Sequence, residues 1–86
     1  MNYAYLVRCS DNTFYAGWTN NIEKRIQSHN AGTGAKYTRP RRPVQLAYLE
    51  SFETKSEAMK REAALKKLSR KEKEALAEAF INRKKV

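Results

Sequence analysis

The 86 residues predict one α+β domain, a three-stranded antiparallel sheet flanked by three helices. Three observations predict it. Two short aromatic-rich runs near the N-terminus are separated by turn residues; a third alternating run follows past the middle; and the remaining segments repeat their apolar residues at helical spacing. The length holds a single core. So small a core leaves little room for a deep pocket, and a site on the edge of a sheet is expected instead.

Residues 3–9 (YAYLVRC) are aromatic and branched, and read as a strand. Ser10, Asp11, Asn12 and Thr13 supply turn chemistry before residues 14–18 (FYAGW) return as a second strand. A two-residue loop at Asp11-Asn12 would set Tyr5 and Tyr15 on opposite faces. An odd-numbered loop or a bulge sets them on one face, because a slip of one residue reverses every side chain. The second arrangement is expected, with Gly17 leaving room for the Tyr5 ring. The competing reading makes both tyrosines plain core aromatics.

Thr19 or Asn20 is the expected N-cap of a helix over about 20–30, with Glu23 completing a capping box after Asn20 and Gly32 as its stop. Ile22 and Ile26 form its buried stripe, flanked by Arg25 and His29 one turn apart. A charge aimed at the sheet must find an anion. For Arg25, the carboxylates in the first fifty residues are Asp11, Glu23 and Glu50, and a phosphate is at least as good a partner. His29 could equally be a satisfied structural histidine.

Residues 31–43 (AGTGAKYTRPRRP) read as a loop, its prolines blocking helix and central strand. Lys36, Arg39, Arg41 and Arg42 surround Tyr37 with no acid among them. That is expected of an arm following a nucleic-acid backbone, one ring free to stack on a base; a merely solvated basic loop is the alternative. Residues 44–52 (VQLAYLESF) form the third strand, apolar on both faces for most of its length and so expected at the centre of the sheet. Thr54 or Ser56 caps a helix over about 56–68. There Glu62 falls inside the arc of Ala58, Met59 and Leu65, where a carboxylate needs a metal or a cation such as Arg25 or Arg61. The last helix, about 69–82 with Ser69 at its start, buries Leu76, Ala79 and Phe80 and runs into a basic tail at Arg83, Lys84 and Lys85.

Charge narrows the partner. Eighteen Lys+Arg against nine Asp+Glu give +9, which favours a polyanion through release of condensed counterions. Cys9 is the single cysteine and His29 the single histidine. That excludes an internal disulfide and a Cys/His zinc cluster, makes a disulfide-linked partner unexpected and fits a cytoplasmic setting. No secretory leader or membrane-length apolar run is read from the sequence, and oligomeric state is not legible.

The ordered residues Tyr3-Ala4-Tyr5, Tyr15-Ala16-Gly17, Arg25, His29 and Glu62 resemble the GIY-YIG endonuclease superfamily, in its small single-domain branch. The likeness spans nearly the whole chain. Tyr3 and Ala4 replace the Gly and Ile of the first motif, and Ala16 replaces the Ile of the second. The asparagine common after the glutamate has no counterpart; Asn82 lies too far on for its role to be carried over. The resemblance implies a metal-dependent nuclease, on DNA before RNA, and the arm from Lys36 to Arg42, which carries no base code, makes recognition by shape the expectation. It makes Glu62 the ligand of a divalent ion (Mg²⁺, with Mn²⁺ the other candidate) and Arg25 the transition-state clamp. Tyr5 becomes the base, Tyr15 a positioning phenol, with the reverse assignment open, and His29 orients a tyrosine or relays its proton. Arg8 or Arg25, together with the metal, is expected to favour phenolate, and Arg8 to assist nucleic-acid binding. A non-cutting nucleic-acid-binding module, and an accessory protein docking on an acidic partner through its last two helices, remain the alternative classes.

Overall fold

The computed structural model describes residues 1–84; Lys85, of the expected basic tail, lies outside the described residues. Strands β1 (Asn2–Arg8), β2 (Phe14–Thr19) and β3 (Gln45–Phe52) form an antiparallel sheet in the order β2-β1-β3. Helices α1 (Ile22–Ala31), α2 (Lys55–Lys66) and α3 (Arg70–Lys84) complete the domain.

The central strand is β1, not the third strand as its two apolar faces suggested. Ala4, Tyr5, Leu6 and Val7 are all wholly buried, which only a strand covered on both faces and both edges achieves. In β3 the alternation is broken by a bulge. Leu6 lies opposite Tyr48 while Val7 lies opposite Leu46, so Ala47 is the extra residue and joins Tyr48 on one face. Two apolar residues in succession therefore point the same way.

On one face Ala4, Leu6, Phe14, Ala16 and Ala47 pack against Leu65 of α2 and Ala77 of α3. Here α2 lies over β1 and β2, and α3 over β3. The stripe of α3 runs through Leu76, Ala77 and Phe80, with Ala79 exposed rather than buried. On the other face Tyr5, Val7, Cys9 and Val44 meet Ile22 and Ile26 of α1.

Capping follows side-chain chemistry. Asn21, one residue beyond the expected Asn20, caps α1 by accepting from the Lys24 N–H at 3.1 Å. Gly32 ends that helix at φ 84°, its N–H on the His29 carbonyl, while Thr33 N–H reaches the Ser28 carbonyl. This is the paired C-terminal closure that favours glycine. Thr54 and Glu57 form a reciprocal capping box on α2, and Ser69 with Glu72 repeats the pattern before α3.

Candidate active site

The hairpin puts both tyrosines on one face. Ser10, Asp11 and Asn12 form an odd-numbered loop closed by the Cys9 N–H to Thr13 carbonyl bond, with Asn12 at φ 67°. Tyr5 then lies opposite Gly17, and Tyr15 opposite Val7. A methyl group on Gly17 would come within 2.6 Å of the Tyr5 Cζ, so the bare backbone there is the floor on which the ring rests.

Helix α1 brings Arg25 and His29 to the same place. Tyr5 Oη lies 2.8 Å from His29 Nε2, and Arg25 Nε donates to Tyr5 Oη at 3.2 Å. Both Tyr5 and His29 are 0% exposed. The His29 ring meets Tyr5 and Tyr15 edge-on, with centroids 5.9 and 5.5 Å apart. Arg25 interacts with both phenols. Burial lowers the His29 pKa to about 4, with the Arg25 charge assisting, so the imidazole is neutral at physiological pH. Burial likewise raises the Tyr5 pKa, against the pull of Arg25 and with the charges of Tyr15 and Glu62 adding to the rise. The resting pair is a neutral phenol facing a neutral imidazole.

Glu62 stands on α2 near enough for its charge to act on Tyr5. Its side chain is 20% exposed and its ion partner is Lys66 at 3.8 Å, neither Arg25 nor Arg61. Arg61 is engaged by Glu50 at 3.0 Å. Among the described residues no three His, Cys, Asp or Glu side chains converge. One carboxylate beside a phenol fits a hard cation that keeps most of its waters and borrows substrate oxygens, and does not fit a caged zinc.

Two expected residues lie elsewhere or are otherwise occupied. Arg8 faces away from Tyr5: it grips Glu74 at 2.7 and 3.3 Å and sits 4.6 Å above the Phe14 ring. It ties β1 to α3. Tyr37 is 38% exposed, but its ring is stacked on Tyr15 at 6.0 Å and carries the Arg41 guanidinium at 3.9 Å. It prolongs the aromatic stack instead of presenting a free face.

The loop itself is an ordered clasp. Asn30 accepts from the Val44 N–H at 2.7 Å and donates to the Val44 carbonyl at 3.1 Å, pinning one end of the loop to the other. Arg41 bonds Asp11 and the Tyr37 carbonyl, and Arg42 bonds the Arg39 carbonyl. Lys36 and Arg39 are exposed, and among the described residues neither has an ion-pair partner. Thr38, unmarked by any motif, is wholly buried and lies 2.9 Å from His29 Nδ1. A buried imidazole needs two partners, and that requirement was the available signal for it.

Residues 1–75 match the family model described as the GIY-YIG catalytic domain. The chain is 53% identical over 83 residues to the UPF0213 protein YazA of Bacillus subtilis, covering 96% of this chain and 84% of that protein. It is 59% identical over 73 residues to the UPF0213 protein CPE1444 of Clostridium perfringens, covering 85% and 78%. The solution NMR structure of the protein EF2693 from E. faecalis is 53% identical, with a TM-score of 0.59 over 92% of this chain and 84% of that one. Among the described residues no helix is long and apolar enough to cross a membrane.

Proposed function

The chain belongs to the GIY-YIG catalytic-domain family, and from that premise we propose that it is a divalent-metal-dependent endonuclease acting on nucleic acid, DNA recognised by shape before sequence. The observation that carries the reading is the Tyr5 hydroxyl held between His29 Nε2 and Arg25 Nε. A phenol near pKa ~10 is a poor base in water. Here its own proton has a receiver. As Tyr5 Oη takes a proton from the attacking water, the Tyr5 O–H proton passes to His29 Nε2. Arg25, bonded to Tyr5 at rest, turns to the scissile phosphate and offsets its growing charge, opening the Tyr5 lone pair to water. Tyr15, half-buried with its ring edge-on to His29, serves as the positioning phenol. Glu62 would hold the divalent ion, Mg²⁺ or Mn²⁺, which when bound would supply charge to acidify water and screen the phosphate. Lys36, Arg39 and Arg42 are exposed to follow the backbone, and Arg41 braces the loop beneath them.

The test incubates the protein with branched, single-stranded and duplex DNA and with structured RNA, with and without Mg²⁺, beside Glu62→Ala. Metal-dependent strand cleavage lost in the variant supports the enzyme. One observation favours a second reading: Tyr5 is closed to bulk water and protonated at rest, as suits a binding module that does not cut. Binding without cleavage, unchanged by Glu62→Ala, would establish that reading. Absence of nucleic-acid binding points to an acidic protein partner.

A further inference from the structure

The hydrogen bonds around His29 form a chain whose direction can be worked out proton by proton. Arg25 can only donate, so Tyr5 Oη accepts from it at 3.2 Å. At the far end, Thr38 Oγ1 donates to the Ala35 carbonyl at 2.9 Å, and a carbonyl can only accept. A hydroxyl has one proton, so Thr38 must accept from His29 Nδ1 at 2.9 Å. That leaves Nε2 bare, facing the Tyr5 hydroxyl at 2.8 Å. Every proton then has an acceptor.

The opposite polarity fails at Tyr5. If Thr38 donated to Nδ1, the Nε2–H would point at Tyr5 Oη, which already accepts from Arg25. Both groups bonded to Tyr5 Oη, His29 Nε2 and Arg25 Nε, would then be donors, leaving the Tyr5 proton without an acceptor in either bond in a residue with 0% exposure to water. The loop also holds the ring in place. A methyl group on Gly34 would lie 2.6 Å from His29 Nδ1 and 2.9 Å from its Cα, so glycine lets the loop close on the imidazole. Ala35 and Thr38 follow within the same turn, Thr38 N–H reaching the Ala35 carbonyl at 3.2 Å.

We propose that Thr38 is a positioning residue: it holds His29 in the Nδ1–H tautomer, so that the Nε2 lone pair receives the Tyr5 proton. The role is that of an orienting group behind a catalytic imidazole, filled by a neutral hydroxyl and a main-chain carbonyl in place of a carboxylate. When Tyr5 gives its proton to Nε2, the Oη–H bond breaks, the Nε2–H bond forms and the imidazolium keeps its Nδ1–H bond to Thr38. The catalytic meaning rests on the hydrolytic reading above, whereas the tautomer is measurable without it.

His29 is the one histidine in the chain, so nitrogen-15 NMR of the imidazole needs no further assignment. In the native protein at neutral pH, Nδ1 is expected to be the protonated nitrogen. Thr38→Val is expected to lose that preference, and Thr38→Ser to keep it. Tyr5→Phe is expected to leave Nδ1 protonated, because the orienting partner is intact; it also serves if Thr38→Val does not fold. A protonated Nε2 in the native chain, an unchanged tautomer in Thr38→Val, or a switch in Tyr5→Phe overturns the proposal. For cleavage, kcat is expected to fall about tenfold or more in Thr38→Val with KM held, and to recover in Thr38→Ser. A tautomer that follows Thr38 in a protein that cuts nothing supports the orienting role and sinks the hydrolase reading alone.

Discussion

The ring of Tyr5 lies against the bare Cα of Gly17, directly across the hairpin, where a methyl group would meet the Tyr5 Cζ at 2.6 Å. Gly17 has no left-handed backbone to excuse it; it is glycine for space. Gly17→Ala is therefore expected to gain about 0.5 kcal/mol from a stiffer unfolded chain and to lose about 1–3 kcal/mol to overpacking. The net is a destabilisation of about 0.5–2.5 kcal/mol, read by urea denaturation. The displaced phenol also leaves His29, so cleavage is expected to fall further than stability does.

The two phenols differ in what their protons can do. Only Tyr5 has an imidazole to receive one at 2.8 Å. Tyr5→Phe is expected to cut the single-turnover rate by about 10²–10⁴-fold, the usual range for a lost general base. Tyr15→Phe should cost much less. A larger loss in Tyr15→Phe than in Tyr5→Phe would reverse the roles.

Buried neutral, His29 gives the fold a distinct pH dependence. Its folded pKa, about 4, lies below the unfolded value near 6.5. The unfolded chain thus binds the extra proton between these values, so this contribution is whole above ~6.5 and is lost as pH falls towards 4. Integrated, it amounts to about 3 kcal/mol. The carboxylates with lowered values, Asp11, Glu72 and Glu74, add their losses only nearer and below their ordinary range. Urea midpoints between pH 5 and 6.5 isolate the imidazole, and His29→Gln is expected to flatten that slope.

Arginines of one charge are expected to divide by location. Arg8 is spent on Glu74 at a part-exposed pair, and Arg8→Ala should cost stability about 0.5–1 kcal/mol with the salt dependence of nucleic-acid binding unchanged. Arg39 is exposed and unpaired among the described residues. Arg39→Ala should reduce the slope of log K against log salt by about 0.7–0.9, one phosphate contact, with stability unaltered. Titrations at several salt concentrations measure both.

Local pattern carried most of the fold. Aromatic and branched runs marked the strands, and hydroxyl or amide caps with Gly32 marked the helices. The shared face of Tyr5 and Tyr15 was expected of an odd-numbered loop or a bulge, and the folded chain supplies the odd loop at residues 10–12. What pattern could not carry was pairing over distance. The central place of β1 depends on both of its edges being taken, and the bulge at Ala47 and Tyr48 imitated a strand buried on two faces. Arg8 looked like a free cation because Glu74 lies 66 residues away. Tyr37 looked available because its partners Tyr15 and Arg41 meet only in the folded chain. Thr38 gave no local signal, since its work is done on an imidazole nine residues earlier.

The central position of β1 has one more consequence. Tyr5 rides on backbone held from both sides, the part of such a domain whose amides surrender to deuterium last. Thr38 sits on a connecting loop, a kind of segment that generally opens more readily than a central strand. Gentle warming is therefore expected to unseat the threonine while the phenol stays put, dimming the reaction before the sheet itself melts.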